Sequence, residues 1–135
     1  MLRRDFIMVQ IEELGKVIAQ IISQRNANAT RKIPEMVQSV YSSLKLDKDF
    51  LLNHSPEEIV LALNGEDMAG LQRMELAAKL LLEDSYLHPE EQQTMRQKAK
   101  EMLEYIQAND STFSLERIQL LEEINELIKE SEISK

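Results

Sequence analysis

Cysteine and tryptophan are both absent from the 135-residue chain. Without cysteine the protein can form no disulfide, no thiolate metal site, no iron–sulfur cluster and no cysteine nucleophile. Aromatic residues make up only 4% of the sequence, and it holds three glycines and three prolines. Leu, Ile, Glu, Gln, Lys, Met and Ala dominate instead, and these residues favour helix over sheet. The composition therefore predicts an all-α protein.

Long uncharged apolar runs are also missing. The chain begins with a basic pair, Arg3-Arg4, ahead of apolar residues, but Glu12, Glu13 and Lys16 interrupt them. That interruption comes well before the roughly 18 apolar residues that a membrane helix needs. We predict neither a signal peptide nor a membrane span, and the cytoplasm is the expected location. A membrane-surface helix is also disfavoured, because the polar face mixes glutamate with lysine.

Positive charge is concentrated in the first third of the chain. Residues 1–45 carry seven Lys or Arg against four Asp or Glu, a net +3, whereas residues 46–135 carry nine against twenty, a net −11. The acidic part repels a phosphate backbone, so nucleic acid is not an expected partner. The asymmetry can orient subunits or protein partners, although ordinary solvated helix faces are the simpler alternative.

Helix signals divide the chain into segments. A first helix extends to about residue 24. A second helix is predicted from apolar residues at helical spacing, namely Ile33, Val37, Val40, Tyr41 and Leu44. A short apolar piece around residue 50 follows without a helix assignment. Ser55-Pro56-Glu57-Glu58 combines an N-cap serine, a first-turn proline and a third-position glutamate. Asn64-Gly65 is expected to end that helix, with glycine in the left-handed conformation.

Three more helices are predicted after residue 66. One covers about 67–86, the next opens at Pro89, and the last follows an N-cap at Ser114 with Phe113 and Ile118 as a hydrophobic staple. Because the breaks after residue 55 are only two to five residues long, consecutive helices are expected to pack as antiparallel hairpins. We predict a single domain over 1–135, with a long first helix over 1–24 and a hairpin stack over 55–131, about six helices in all.

Two similar helix starts hint at a repeat. Ser55-Pro56-Glu57-Glu58 and His88-Pro89-Glu90-Glu91 stand 33 residues apart, close to the tetratricopeptide period. Ordinary helix-start chemistry is the alternative explanation, because the two segments share little else. From this 33-residue spacing and the predicted antiparallel hairpins, we predict a tetratricopeptide-like stack of helices.

The N-terminal segment resembles a known family through the run Arg4-Asp5-Phe6-Ile7-Met8-Val9-Gln10-Ile11-Glu12-Glu13-Leu14-Gly15-Lys16-Val17-Ile18-Ala19. It is similar to the opening of a family of small, uncharacterised bacterial proteins, whose members begin with an Asp, aromatic, Ile, Met run and continue into a Leu-Gly helix. The remainder of the chain matches only in helical pattern. The resemblance implies a bacterial origin and a helical, tetratricopeptide-like fold, and it implies no activity.

The first helix carries the widest apolar stripe in the sequence, with 4-3-4-3 spacing like the seam of a coiled coil. Burial against the chain's own helices competes with self-association or a partner helix as its explanation. Gly15 costs a helix about 1 kcal/mol relative to alanine, which close approach of another backbone would explain; an exposed, unconstrained glycine is the alternative. The predicted interface residues are Ile7, Ile11, Leu14, Gly15, Ile18 and Ile21.

No motif for catalysis, metal or cofactor binding is found. The two histidines, His54 and His88, are 34 residues apart, and the glycines at 15, 65 and 70 form no phosphate-binding loop. Asp84 and His88 can meet across one helical turn, which is typical of a cap or surface contact. Adjacent glutamate pairs occur mainly in first turns, where they complement the helix dipole. We predict no catalytic residue, no cofactor and no metal, and we do not expect an enzyme.

Two functional hypotheses follow from these patterns. In the first, the protein is a non-catalytic protein–protein interaction module that self-associates, with a homodimer expected. In the second, it is an enzyme or small-ligand binder whose site is assembled from scattered polar residues. A polar pocket holding at least two of these residues would favour the second hypothesis, and their dispersal would end it: Tyr41, His54, Tyr86, His88 and Tyr105.

Overall fold

The computed structural model describes the backbone of residues 2–133 and the side chains of residues 8–132. Helices are the only regular elements in that part of the chain, which confirms the all-α prediction. None of its helices is both long and apolar enough to cross a membrane. The elements are α1 (Leu2–Asn26), α2 (Ile33–Leu44), α3 (Lys48–Asn53), α4 (Pro56–Leu63), α5 (Gly70–Ser85), α6 (Gln92–Asn109) and α7 (Leu115–Ile133).

Helix α3 is the element that the sequence did not predict. The Asp47 side chain caps it by accepting a hydrogen bond of 2.8 Å from the Phe50 amide, and Leu51 is completely buried. Six residues are too few to show helical periodicity, so the apolar run gave no distinguishing signal. The described chain consequently contains one helix more than the six expected.

Helix α5 lies at the centre of the fold. It packs against α1, α2, α4 and α6, and α7 completes the arrangement by packing against α6. Four consecutive pairs pack on each other, namely α1–α2, α4–α5, α5–α6 and α6–α7, and both α1 and α2 also pack directly on α5. All seven helices contribute to one hydrophobic core, whose largest fully buried side chains are Ile21, Val40, Leu51, Ile59, Met74, Leu80, Leu81, Met95, Met102, Leu103, Ile106 and Ile124.

The two proline-containing starts differ from each other. At Ser55 the predicted capping box forms: the Ser55 hydroxyl accepts from the Glu58 amide at 3.2 Å, and the Glu58 carboxylate accepts from the Ser55 amide at 2.9 Å. Pro89 instead lies inside a turn in which the Glu91 amide donates to the His88 carbonyl at 3.1 Å, and α6 begins only at Gln92. The prediction of a helix opening at Pro89 was wrong, because proline also suits the second position of a turn.

Other predicted ends need similar correction. Helix α4 stops at Leu63 as expected, but Gly65 is not left-handed; the positive φ of that turn, 56°, belongs to Met68. Helix α5 starts at Gly70, because residues 65–69 form the connecting turn. Ser114 does cap α7, since its hydroxyl accepts from the Arg117 amide at 3.1 Å. Phe113 is 74% exposed, so the predicted staple does not bury it.

Candidate functional site

Three consecutive polar residues at the C-terminal end of α5 are buried: Glu83, Asp84 and Ser85. Glutamate and aspartate are unfavourable there, because the helix dipole places negative partial charge at that end. Burying a carboxylate costs further free energy unless it is paired. Both the position and the burial of these carboxylates are therefore unfavourable by themselves. The side chains that bond to Glu83, Asp84 and Ser85 come from three different helices.

Glu83 pairs with Arg25 of α1. The carboxylate accepts two hydrogen bonds from the guanidinium, at 2.6 and 3.1 Å, and these bonds raise the pKa of Arg25. Arg25 also lies 4.3 Å above the centroid of the Tyr86 ring, and Arg96 of α6 lies 4.8 Å from the same centroid. Arg96 donates from Nε to the Ser85 hydroxyl at 3.1 Å. The end of α5 is thus tied to α1 and α6 through charge and cation–π contacts.

Asp84 joins Tyr41 of α2 to His88. The Tyr41 hydroxyl donates to Asp84 Oδ2 at 2.8 Å, and His88 Nε2 lies 3.1 Å from Asp84 Oδ1. Burial raises the pKa of Tyr41, and the neighbouring Asp84 carboxylate raises it further, so the phenol keeps its proton and donates it. The sequence predicted the Asp84–His88 contact from its one-turn spacing. Tyr41 and His88 were both among the scattered candidate residues, but the sequence gave no sign that Tyr41, 43 residues away from Asp84, would bond to it.

A pocket of about 540 Å³ borders this Tyr41–Asp84–His88 cluster. Helix α2, the start of α3 and the end of α5 line it, with Pro34, Val37 and Leu87 among its apolar lining residues. Two of the five scattered polar residues therefore share one pocket. The other three do not join it, since none of them is among its lining residues.

His54, Tyr86 and Tyr105 each have other surroundings. The His54 ring stacks on Phe50 with centroids 4.1 Å apart, and its Nδ1 lies 2.9 Å from the Phe50 carbonyl oxygen. Tyr86 is held between the two arginines, and Tyr105 packs half-buried against the core. The structure therefore assembles only Tyr41 and His88 of the predicted set, with Asp84 between them.

The larger concave surface lies on the α1 side of α5. We call it the α1–α7 groove: a cavity of about 920 Å³ lined by Ile22, Arg25 and Asn26 of α1, by Leu82, Glu83 and Tyr86, and by Gln119, Leu120, Glu122, Glu123, Glu126 and Leu127 of α7. Buried Leu82 and half-buried Ile22, Leu120 and Leu127 supply its apolar part. The α7 wall adds a row of exposed carboxylates.

The charges along the groove are unequal. Glu83 is compensated by Arg25, and in a narrow extension Lys79 bonds Glu116 at 2.5 Å, which lowers the pKa of Glu116. Glu122 and Glu126 have no such cationic partner within 4.0 Å among the described side chains. The α7 wall is therefore negative, next to apolar surface.

The predicted interface on α1 divides into two parts. Leu14, Ile18 and Ile21 are buried in the chain's own core, so a partner could reach them only if α1 detached. Ile11 and Gly15 are half-buried, and Ile7 lies outside the described side chains. A Cβ on Gly15 would meet only Leu76 Cδ2, at 4.0 Å. Among the described residues, no backbone atom of another segment lies within 4 Å of that Cβ position, so close backbone approach inside the described chain does not explain the glycine.

The described residues contain no group of three potential metal ligands. Comparisons with family models, with curated proteins and with solved structures find no match. The resemblance of residues 4–19 to a bacterial helical family gains no support from those comparisons. The pocket and the α1–α7 groove are therefore the candidate functional surfaces of the described residues.

Proposed function

We propose that this protein is a non-catalytic protein–protein interaction module that binds a helix of another chain in the α1–α7 groove. The observation that carries the proposal is the combination, in one concave surface, of apolar side chains with an acidic wall on which Glu122 and Glu126 have no described cationic partner within 4.0 Å. An amphipathic helix places its apolar side chains into such a groove at three- and four-residue spacing. Basic residues flanking that stripe would then face the carboxylates.

The length of the groove suits a short helical segment. The α7 lining runs from Gln119 to Leu127, which corresponds to about 12 Å of helix, or a little over two turns. Two turns present three or four anchor side chains to the groove. An apolar floor supplies affinity and a charged rim supplies orientation, which is the usual division at protein interfaces.

Three finer features remain part of the same proposal. We propose a tetratricopeptide-like arrangement of the helices, supported by the packing of α4 on α5, of α5 on α6 and of α6 on α7. A bacterial origin is supported by the N-terminal resemblance alone. A cytoplasmic location is supported by the absence of cysteine, which suits a reducing compartment.

A peptide titration tests helix binding in the groove. A two-turn basic amphipathic peptide is titrated into the ¹⁵N-labelled protein, and a peptide with glutamate in place of its basic residues serves as the control. We expect the basic peptide to shift amides of the groove-lining residues and the acidic peptide to leave them unchanged. Leu120→Ser should weaken binding, whereas Leu61→Ser, on exposed α4 surface, should not. Equal binding of both peptides, or shifts elsewhere, would contradict the proposal.

A second candidate function is favoured by the pocket beside Asp84. Because Tyr41 and His88 meet there through one buried carboxylate, the protein could instead be an enzyme or a small-ligand binder. A fragment screen by NMR decides between them. Fragments that shift Val37 and His88, and that lose affinity in Tyr41→Phe, would favour a ligand site; no binder at millimolar concentration would leave the interaction module as the function.

A further inference from the structure

Asp84 and its neighbour Glu83 are both buried, with 4% exposure each, but the charges of their contacts differ. The Glu83 carboxylate accepts two hydrogen bonds from the Arg25 guanidinium, which compensates its charge. Asp84 instead accepts from the Tyr41 hydroxyl at 2.8 Å and lies 3.1 Å from His88 Nε2, and a histidine is charged only when protonated. Among the described side chains, no lysine or arginine nitrogen lies within 4.0 Å of the Asp84 carboxylate. Because burying a carboxylate without a cation is unfavourable, a positive charge added beside Asp84 is stabilising.

The Asp84 carboxylate also keeps unused acceptor capacity at the wall of the pocket. An ionised carboxylate has about four lone-pair positions, and Tyr41 and His88 contact two of them. Both of these partners and Asp84 itself line the pocket of about 540 Å³, a volume in the range of small-ligand sites. A hydrogen-bond donor held in the pocket can therefore reach the carboxylate.

The other charged residues of the pocket lining are mainly acidic. Asp47 and Asp49 are exposed at the start of α3, where Asp47 is the N-cap. Lys48 is the lysine of the lining, and its ammonium bonds to the Glu91 carboxylate. Three aspartates against this one paired lysine make the lining negative. The pocket therefore repels an anionic ligand and attracts a cationic one.

We propose that the pocket beside Asp84 binds a small primary amine, whose ammonium group donates hydrogen bonds to the Asp84 carboxylate. This inference rests on the second candidate function and names its ligand class. The apolar side chains of Pro34, Val37 and Leu87 line the same pocket and cover the alkyl chain of the amine. A primary ammonium supplies both the charge and the donor that Asp84 lacks, whereas an alcohol supplies only the donor.

The affinity for a short amine is expected to be low, because each non-hydrogen atom of a ligand contributes a limited part of the binding free energy. For n-pentylamine we expect a Kd on the order of 1 mM. A charge-assisted hydrogen bond is stronger than a neutral one, so 1-pentanol should bind about tenfold more weakly. Pentanoate, which carries the opposite charge on a similar chain, should not bind.

Titration of the ¹⁵N-labelled protein with these three compounds, at one pH and one ionic strength, tests the inference. We expect n-pentylamine to shift the amides of Val37, Leu87 and His88 and to bind more tightly than the other two compounds. Asp84→Asn removes the buried charge but keeps an oxygen that accepts from Tyr41, so amine binding should be lost. Circular dichroism shows whether that variant is folded.

Two variants at the start of α3 test the charge without changing the core. Asp49→Asn removes an exposed carboxylate of the lining and should weaken amine binding severalfold, whereas Lys48→Gln should strengthen it severalfold. Glu104→Gln, on exposed α6 surface outside the pocket lining, should leave the affinity unchanged. These opposite effects at adjacent positions keep the test valid even if Asp84→Asn does not fold.

Equal affinity for n-pentylamine and 1-pentanol, or unchanged amine affinity in both α3 variants, would overturn the inference. Amide shifts confined to other surfaces, or no shift at about 20 mM amine, would overturn it as well. The peptide titration reports on amides of the α1–α7 groove, so a failure of amine binding and a failure of helix binding are seen separately.

Discussion

The two ends of α5 use polar residues in different ways. At the N-terminal end, the polar side chains make local hydrogen bonds within the turn between α4 and α5. The Asn64 side chain accepts from the Gly70 amide at 2.8 Å, and Asp67 accepts from Arg73 at 2.6 and 3.0 Å. At the C-terminal end, the residues from Glu83 to Ser85 reach three other helices and border the pocket and the groove. The local hydrogen bonds at the N-terminal end hold one turn together. The long-range bonds at the C-terminal end hold different helices together around the pocket and the α1–α7 groove.

Removing the central carboxylate of the C-terminal end should have the largest effect. Asp84→Ala leaves the Tyr41 hydroxyl buried without an acceptor, and we expect a loss of about 3 kcal/mol in the free energy of unfolding. Urea denaturation measures the loss. A double-mutant cycle with Tyr41→Phe should show strong coupling between the two residues. Additive effects would show that the Tyr41–Asp84 bond contributes little.

At the N-terminal end, Gly70→Ala should cost about 2 kcal/mol. A Cβ at this position would lie 2.5 Å from the Val60 carbonyl oxygen and would also collide with the Asn64 side chain. Because one of these atoms belongs to the backbone, the turn between α4 and α5 must shift. Thermal unfolding measures the cost. Unchanged stability would mean that this turn is less closely packed than its contacts indicate.

The Asp67–Arg73 pair should make the N-terminal end sensitive to acid. Hydrogen bonds from Arg73 lower the pKa of Asp67 from 3.8 to about 2. Because the folded-state pKa is depressed, the stabilisation is present above about pH 4 and is lost as the pH falls towards 2. We expect Asp67→Asn to lower stability by about 1.5 kcal/mol at neutral pH, with the difference shrinking below pH 4. A difference that is undiminished at pH 2 would contradict the ion pair.

The smallest effect is expected at a glycine without constraint. Gly15→Ala in α1 should raise stability by about 0.5–1 kcal/mol, because the added methyl group has room beside Leu76 and glycine is a poor helix former. The same substitution thus has opposite signs at Gly70 and Gly15. Destabilisation by Gly15→Ala would point instead to a neighbour that the single chain lacks, such as a second copy.

The sequence predicted the features that depend on neighbours along the chain. The Ser55 capping box, the Ser114 cap and the one-turn contact between Asp84 and His88 were all predicted, because each depends on spacing of three or four residues. The left-handed Gly65 and the helix start at Pro89 were wrong, because glycine and proline are compatible with several turns.

Contacts between distant segments were not predictable in the same way. Neither Tyr41 with Asp84 nor Arg25 with Glu83 has a sequence signature, since they are 43 and 58 residues apart. The α1–α7 groove depends on how helices from the two ends of the chain flank α5, and no local pattern encodes that arrangement. The unusual sequence Glu83-Asp84-Ser85 at a helix end was the one available sign.

Paramagnetic relaxation from a label on the groove tests the central claim, helix binding in the α1–α7 groove, most directly. The chain has no cysteine, so Gln119→Cys gives a unique site for a spin label on the groove without removing a carboxylate. The spin-labelled protein is mixed with the ¹⁵N-labelled basic amphipathic peptide. If the peptide helix occupies the groove, its amide signals should broaden, while those of the control peptide with glutamate in place of its basic residues stay sharp. Sharp signals of the basic peptide up to about 1 mM protein would contradict the account.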